Sequence, residues 1–225
     1  DISDTRDVVV WYSADNVISR NRIARGRYAL HTMYANKNLV EDNEFLENMT
    51  GVFLMYSDGV EIRRNRILGA QGATGVGVGF KESSSIVLED NDIIYCATGV
   101  LLDVSPYEPD TVIRFERNRF AYNGIAVQLT SELGGNVLKD NVFEGNITDV
   151  FQGGRGSGDK NSWAGNFFDT YQGFDRDKNG IGYGGAAYGA GAKHLAVKAD
   201  NSSPAIEPTA ENVIGQKYPI WRYLF

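Results

Sequence analysis

Cysteine is almost missing from this chain. Cys96 is the single thiol, so an internal disulfide framework and any multi-cysteine zinc site are excluded. Basic charge is short as well: 22 Lys and Arg face 29 Asp and Glu, a net charge of −7. Nucleic-acid and anionic-membrane binders need basic footprints, which this composition does not supply. No apolar run reaches the roughly 20 residues that a membrane-spanning helix needs. The opening Asp1-Ile2-Ser3-Asp4 has neither the basic start nor the apolar core of a signal peptide. A mature exported form, or a fragment, stays open. The five prolines fall late in the chain, and there are only two histidines and three methionines. What is plentiful is glycine, with 26 residues, together with the Phe and Tyr that β-structure favours.

The 225 residues suffice for one sizeable core or for an elongated repeat array. Self-similarity favours the array. An Asn-x-(Ile/Phe) unit recurs at Asn21, Asn43, Asn65, Asn91, Asn118, Asn141 and Asn166, with successive spacings of 22, 22, 26, 27, 23 and 25 residues. Around each unit the chain alternates apolar and polar residues, as in Val60-Glu61-Ile62 and Ile113-Arg114-Phe115-Glu116. Short β-rich segments repeating every two dozen residues describe the coils of a parallel β-helix. A leucine-rich repeat would need Leu-x-x-Leu-x-Leu, which is missing. Asparagine suits the inside of a turn, where it tolerates left-handed geometry and its amide can bond to the copies above and below. The expected fold is all-β: a single-stranded right-handed parallel β-helix of about seven coils over 1–168, then an irregular cap and tail over 169–225.

Small residues mark the start of one strand per coil: Gly51, Gly75, Gly99 and Gly124, with Ala29 and Asp149 in equivalent slots. Counting from them, positions +1, +3 and +5 are Val52, Leu54, Tyr56; Val76, Val78, Phe80; Val100, Leu102, Val104; and Ile125, Val127, Leu129. Leu30, Thr32, Tyr34 and Val8, Val10, Tyr12 complete the set. These columns are expected to face the core, which makes Tyr12, Tyr34 and Tyr56 core stacking residues. Ser105–Asp110 lengthens one coil and reads as a protruding loop. Cys96 stands three residues before Gly99, as Asn48 stands before Gly51, and is expected to replace an inward asparagine. The chain begins in mid-coil without a polar cap, so further N-terminal coils are expected in the natural protein.

Two stretches follow the repeat. Gly182–Ala192 is Gly-rich and reads as a loop, with no strand leading into it and no helix pattern after it. Asp175-Arg176-Asp177-Lys178-Asn179-Gly180 resembles the first half of an EF-hand loop, with oxygens from Asp175, Asp177 and Asn179. Its twelfth position is Ala186, so the bidentate Glu is absent. At best weak Ca²⁺ binding is expected there.

Positions +2 and +4 must point outward. In later coils they are ordinary or small: Gly77 and Gly79, Leu101 and Asp103, Ala126 and Gln128. In the first three they are Val9 and Trp11, His31 and Met33, Phe53 and Met55. A solvated face should be polar, so this Trp-Phe-His-Met-Met cluster breaks the pattern. Three readings are open. Another chain element or coil covers it; or it docks a partner, with Trp11 and Phe53 as anchors, a recess at Gly77 and Gly79, and Asp103 at its edge; or it binds a soft metal. In the third, Met33 and Met55 on adjacent coils lie about 5 Å apart, with His31 about 7 Å from Met33 along the strand. Thioethers with an imidazole favour Cu(I), whereas hard Ca²⁺ or Mg²⁺ would find no oxygen donors.

Leu30-His31-Thr32-Met33-Tyr34, Gly51–Ser57, Gly75–Ser83 and Asp103-Val104-Ser105-Pro106 resemble the NosD family, periplasmic maturation factors of nitrous oxide reductase. Gly165–Gly182 is similar to the closing segment of that family, and the resemblance spans most of 8–183. It implies a right-handed β-helix in the periplasm, of which this chain supplies the C-terminal coils. It also implies work with an ABC transporter ATPase and membrane subunits, a copper chaperone and nitrous oxide reductase, in supplying copper to the reductase's multicopper centres. No enzymatic activity is implied. The rival classes are a polysaccharide lyase or hydrolase on the same scaffold, and a non-catalytic docking or adhesin-like module. A hydrolase wants two facing carboxylates. The outward columns offer only Asp103, with Lys81 and Glu82 at the neighbouring turn.

Overall fold

A computed structural model describes residues 1–72, 74–130, 134–153 and 160–170. Within them every regular element is a short β-strand, and all strand pairs are parallel. One eight-stranded and two seven-stranded sheets run the length of the molecule, each joining strands from successive coils. This is a β-solenoid of about seven turns. The sheet that carries His31, Met33 and Met55 contains the long strands Asp7–Trp11, Tyr28–Met33, Thr50–Met55, Val76–Lys81, Thr98–Asp103, Ile125–Leu129 and Thr148–Gln152. The last described strand is Phe167–Phe168. The expected tail lies, apart from 169 and 170, outside the described residues, and with it Asp175, Asp177 and Asn179.

The asparagine repeat forms one continuous ladder. Each Oδ1 accepts the backbone N–H of the asparagine in the preceding coil, at 2.9–3.0 Å from Asn21→Asn43 through Asn141→Asn166. The Nδ2 donates onward to the next Oδ1 and back to a carbonyl one coil earlier, as in Asn43 Nδ2 to Ile18 O at 2.8 Å. From Asn43 onward these amides are buried, so each would be costly if left unpaired. The left-handed backbone belongs to the residue before each asparagine: Arg20, Asp42, Arg64, Asp90, Arg117 and Asp140 have φ of 52–55°. The asparagine itself supplies the amide. Two residues after each, Ile23, Phe45, Ile67, Ile93, Phe120, Phe143 and Phe168 are buried in the core.

Cys96 does occupy an asparagine slot. Asn48 Oδ1 accepts from Gly26 N, Asn123 Oδ1 from Cys96 N and Asn146 Oδ1 from Asn123 N, at 2.8–3.0 Å. The thiol is buried, which pushes its pKa up to about 12. The insertion stands out from the coil: residues 107–110 are exposed, and the backbone N–H groups of Tyr107 and Glu108 donate to Ser84 Oγ at 3.0 and 2.8 Å.

Two features of the long-strand sheet differ from expectation. Gly51 is aligned with Gly77 and Gly99, and these with Ala126, because Val52, Val78, Val100 and Val127 are register partners. Counting from Gly75 and Gly124 is therefore out by two residues. Gly77 and Ala126 leave the outer face: Ala126 is buried, and a methyl at Gly77 would lie 2.6 Å from Gly99 O and 3.1 Å from Cys96 Sγ. The +5 residues are also not core. Tyr12, Tyr34, Tyr56 and Val104 have φ of 47–51°, so the strand has already turned the corner. Tyr12 and Tyr34 are exposed, and the tyrosines stack on the outside.

Candidate soft-metal centre

With the register fixed, the outer face of the long-strand sheet carries two well-defined columns. One runs Val9, His31, Phe53, Gly79, Leu101, Gln128, Phe151. The other runs Trp11, Met33, Met55, Lys81, Asp103. His31, Met33 and Met55 thus share a face, and Met33 and Met55 are direct partners across one coil step. The parallel spacing of about 4.8 Å places their Cα atoms side by side.

The side chains close the gap further. His31 Nε2 lies 3.2 Å from Met55 Sδ. Nitrogen and sulfur that ligate one ion, with bonds of about 2.0 and 2.3 Å as zinc makes them, stand about 3.5 Å apart in tetrahedral geometry. A neutral imidazole and a thioether at this separation are therefore already near a common bite. The face offers one imidazole and, on paired positions, two thioethers, donor types that suit a soft ion.

The imidazole is held by aromatic rings. Tyr28 stacks on it with centroids 4.9 Å apart, and Phe53 meets it edge-on at 6.4 Å. The Arg27 guanidinium lies over the Tyr28 ring, 4.9 Å from its centroid, and is fixed by two bonds to the Asp7 carboxylate at 3.1 and 3.0 Å. Burial lowers the His31 pKa, Asp7 opposes this, and Arg27 lowers it further. The imidazole is thus neutral at neutral pH, the form that ligates. Tyr28 and its Arg27–Asp7 brace escaped sequence reasoning, because alternation identifies the outer face without saying which rings meet on it.

Of the residues assigned to docking, Trp11 is 60% exposed beside Met33 and Asp103 ends the methionine column. Gly79 is on the outer face, but no recess lies over it: the Phe53 ring covers it, so that a methyl there would overlap the ring. The position beside Met55 belongs to Lys81. Among the described residues no three His, Cys, Asp or Glu side chains converge as metal ligands. Methionine thioethers are outside that donor set.

Over residues 1–173 the chain matches the family described as periplasmic copper-binding protein (NosD). It belongs to that family. No curated protein matches it. Membership of the NosD family gives a periplasmic copper-binding accessory role as the coarse assignment, defined by a metal rather than by a reaction. Among the described residues, no helix is long and apolar enough to cross a membrane.

Proposed function

We propose that this chain is a periplasmic copper-handling protein that receives or passes on Cu(I) at His31, Met33 and Met55. In this reading it acts with an ABC transporter ATPase and membrane subunits, takes copper from or gives it to a copper chaperone, and serves copper-site maturation of nitrous oxide reductase. The observation that carries the reading is the 3.2 Å approach of His31 Nε2 to Met55 Sδ, with Met33 aligned beside it, in a NosD-family chain. Copper is cargo here. The thioethers bind it softly, the imidazole anchors it, and Tyr28 and Phe53 hold the imidazole in place. A site on an outer sheet face, with Trp11 exposed at its edge, suits transfer to a docked partner better than storage.

The test is an anaerobic Cu(I) titration against a competing chelator, together with copper loading of the reductase. Met33→Ala/Met55→Ala should weaken Cu(I) binding by at least about 100-fold, or roughly 2.8 kcal/mol, and reduce loading. Unchanged affinity with reduced loading would turn the cluster into a docking patch. Unchanged values in both assays would remove it from copper handling.

A further inference from the structure

Tyr12, Tyr34 and Tyr56 stand one above another at the corner where three successive long strands end. Their ring centroids are 5.0 and 4.9 Å apart, with planes 9° and 13° from parallel. Trp11 continues the run, 6.3 Å from Tyr12. The stack faces water: Tyr12 is 75% and Tyr34 44% exposed. Each tyrosine directly follows a residue of the methionine column, Trp11, Met33 or Met55. Neither core packing nor the proposed metal donors use these phenols.

We infer that this column is a relay for oxidising equivalents, in which Tyr34 couples covalently to Tyr12 or Tyr56 and so spares the neighbouring thioethers. Phenols and indoles give up single electrons readily, and rings in near-contact can pass the electron hole along the stack. A one-electron oxidant takes an electron from a phenol, and the phenolic proton passes to water. Two neighbouring phenoxyl radicals then join through their ortho carbons. Each of those carbons releases its hydrogen as a proton, which restores both phenols. In sum two phenols lose two electrons and two protons and gain one C–C bond. The oxidant class is the hydroxyl radical that hydrogen peroxide yields with reduced copper, each radical being reduced to water. Spent on methionine, such oxidants give the sulfoxide, which exchanges a soft donor for a hard oxygen. The protective role rests on the copper-handling reading; the coupling rests on ring geometry alone.

A second tyrosine pair provides an internal reference. Tyr95 and Tyr122 stack at 5.3 Å, but the Tyr95 hydroxyl is buried and the Tyr122 hydroxyl donates to Glu144 at 3.3 Å. Oxidants from solvent reach this pair less well.

The experiment uses copper-free protein, photo-oxidised with ruthenium tris-bipyridine and persulfate, then digested with trypsin and read by mass spectrometry. The expected products are peptide 28–37 joined through Tyr34 to peptide 7–20 or to peptide 38–63, each lighter than the sum by two hydrogens. Their yield should exceed that of any Tyr95–Tyr122 link and should not depend on protein concentration. Tyr34→Phe keeps a ring in the stack, so the fold is retained. It should abolish both links without creating one between Tyr12 and Tyr56, and it should raise sulfoxide at Met33 and Met55. Links that form only between molecules, or a Tyr12–Tyr56 link of equal yield in the variant, overturn the relay. Unchanged methionine oxidation in the variant overturns the sparing role. No copper is present in this assay, so its failure leaves the Cu(I) titration to judge the metal site separately.

Discussion

His31 Nε2 and Met55 Sδ lie 3.2 Å apart although the residues are 24 positions apart in the chain. One coil separates them, and the imidazole reaches diagonally from the strand Tyr28–Met33 to its neighbour Thr50–Met55. Met33 takes the position directly beside Met55. The two methionines are therefore not equivalent. Met55→Leu, which conserves volume and costs the fold little, should weaken Cu(I) binding more than Met33→Leu. An anaerobic chelator competition with both variants measures this; equal losses would mean that the imidazole does not pair preferentially with Met55.

The His31 environment gives a direction in pH. Its pKa is lowered from the ordinary value of 6.5, first by burial. A depressed histidine pKa means that the unfolded chain takes up a proton that the folded chain resists. The stabilising contribution is fully present above 6.5 and is lost as pH falls from there through the folded value. Cu(I) affinity should fall in the same window, because a protonated imidazole does not ligate. Between neutral pH and about pH 5 the urea midpoint of the wild type should fall further than that of His31→Leu, and equal falls would contradict the lowered pKa.

The asparagine ladder and the surface ion pairs make a clear contrast in stability. In Asn91→Ala, the Asn65 backbone N–H and Nδ2 lose the acceptor they share, at 2.9 and 3.0 Å. Both groups are buried, so the loss should be about 2–4 kcal/mol. Arg64 sits on the surface with Asp42 and Glu41 as partners, where water screens the charges, so Arg64→Ala should shift the midpoint far less than Asn91→Ala, and less still in high salt. Chemical denaturation of the two variants decides between these magnitudes.

How legible this was depended on the kind of constraint. The asparagine ladder demands the same amide at the same corner of every coil, and the core needs Ile or Phe two residues later. Both leave a repeat in the sequence. The start of the long strand does not. In Gly75-Val76-Gly77-Val78-Gly79 a slip of two residues preserves which side chains share a face, so only the pairing of Val78 with Val52 selects Gly77 as the partner of Gly51. The tyrosines misled for another reason. Alternation carried one step too far gives the core, whereas a φ near 50° at Tyr34 and Tyr56 swings the rings outside. The outward His31, Met33 and Met55 were legible because they broke the polar pattern of a solvated face; Tyr28 broke none.

Cys96 offers a rapid check that the coil is closed in solution. Its thiol fills an asparagine slot and its pKa is pushed up to about 12 by burial, so almost no reactive thiolate exists at neutral pH. A thiol reagent should label it only on unfolding, and immediate labelling of native protein would contradict the packing.

The glycines of the long-strand sheet should differ in what they tolerate. A methyl at Gly79 meets the Phe53 ring, which can rotate away. At Gly77 it meets the carbonyl oxygen of Gly99 at 2.6 Å, and that carbonyl belongs to the next coil's backbone. A ring yields more cheaply than a ladder of parallel strands. Gly77→Ala should therefore cost about 1–3 kcal/mol, the usual range for overpacking, and Gly79→Ala less. Gly79→Ala has a second consequence, since Phe53 also meets the His31 imidazole edge-on. Displacing that ring should loosen His31 and weaken Cu(I) binding while global stability changes little. Gly77→Ala should do the reverse, lowering the urea midpoint while leaving Cu(I) affinity of the folded protein intact. Parallel stability and affinity measurements on the two variants test this; matching effects would mean that Phe53 does not connect Gly79 to the metal face.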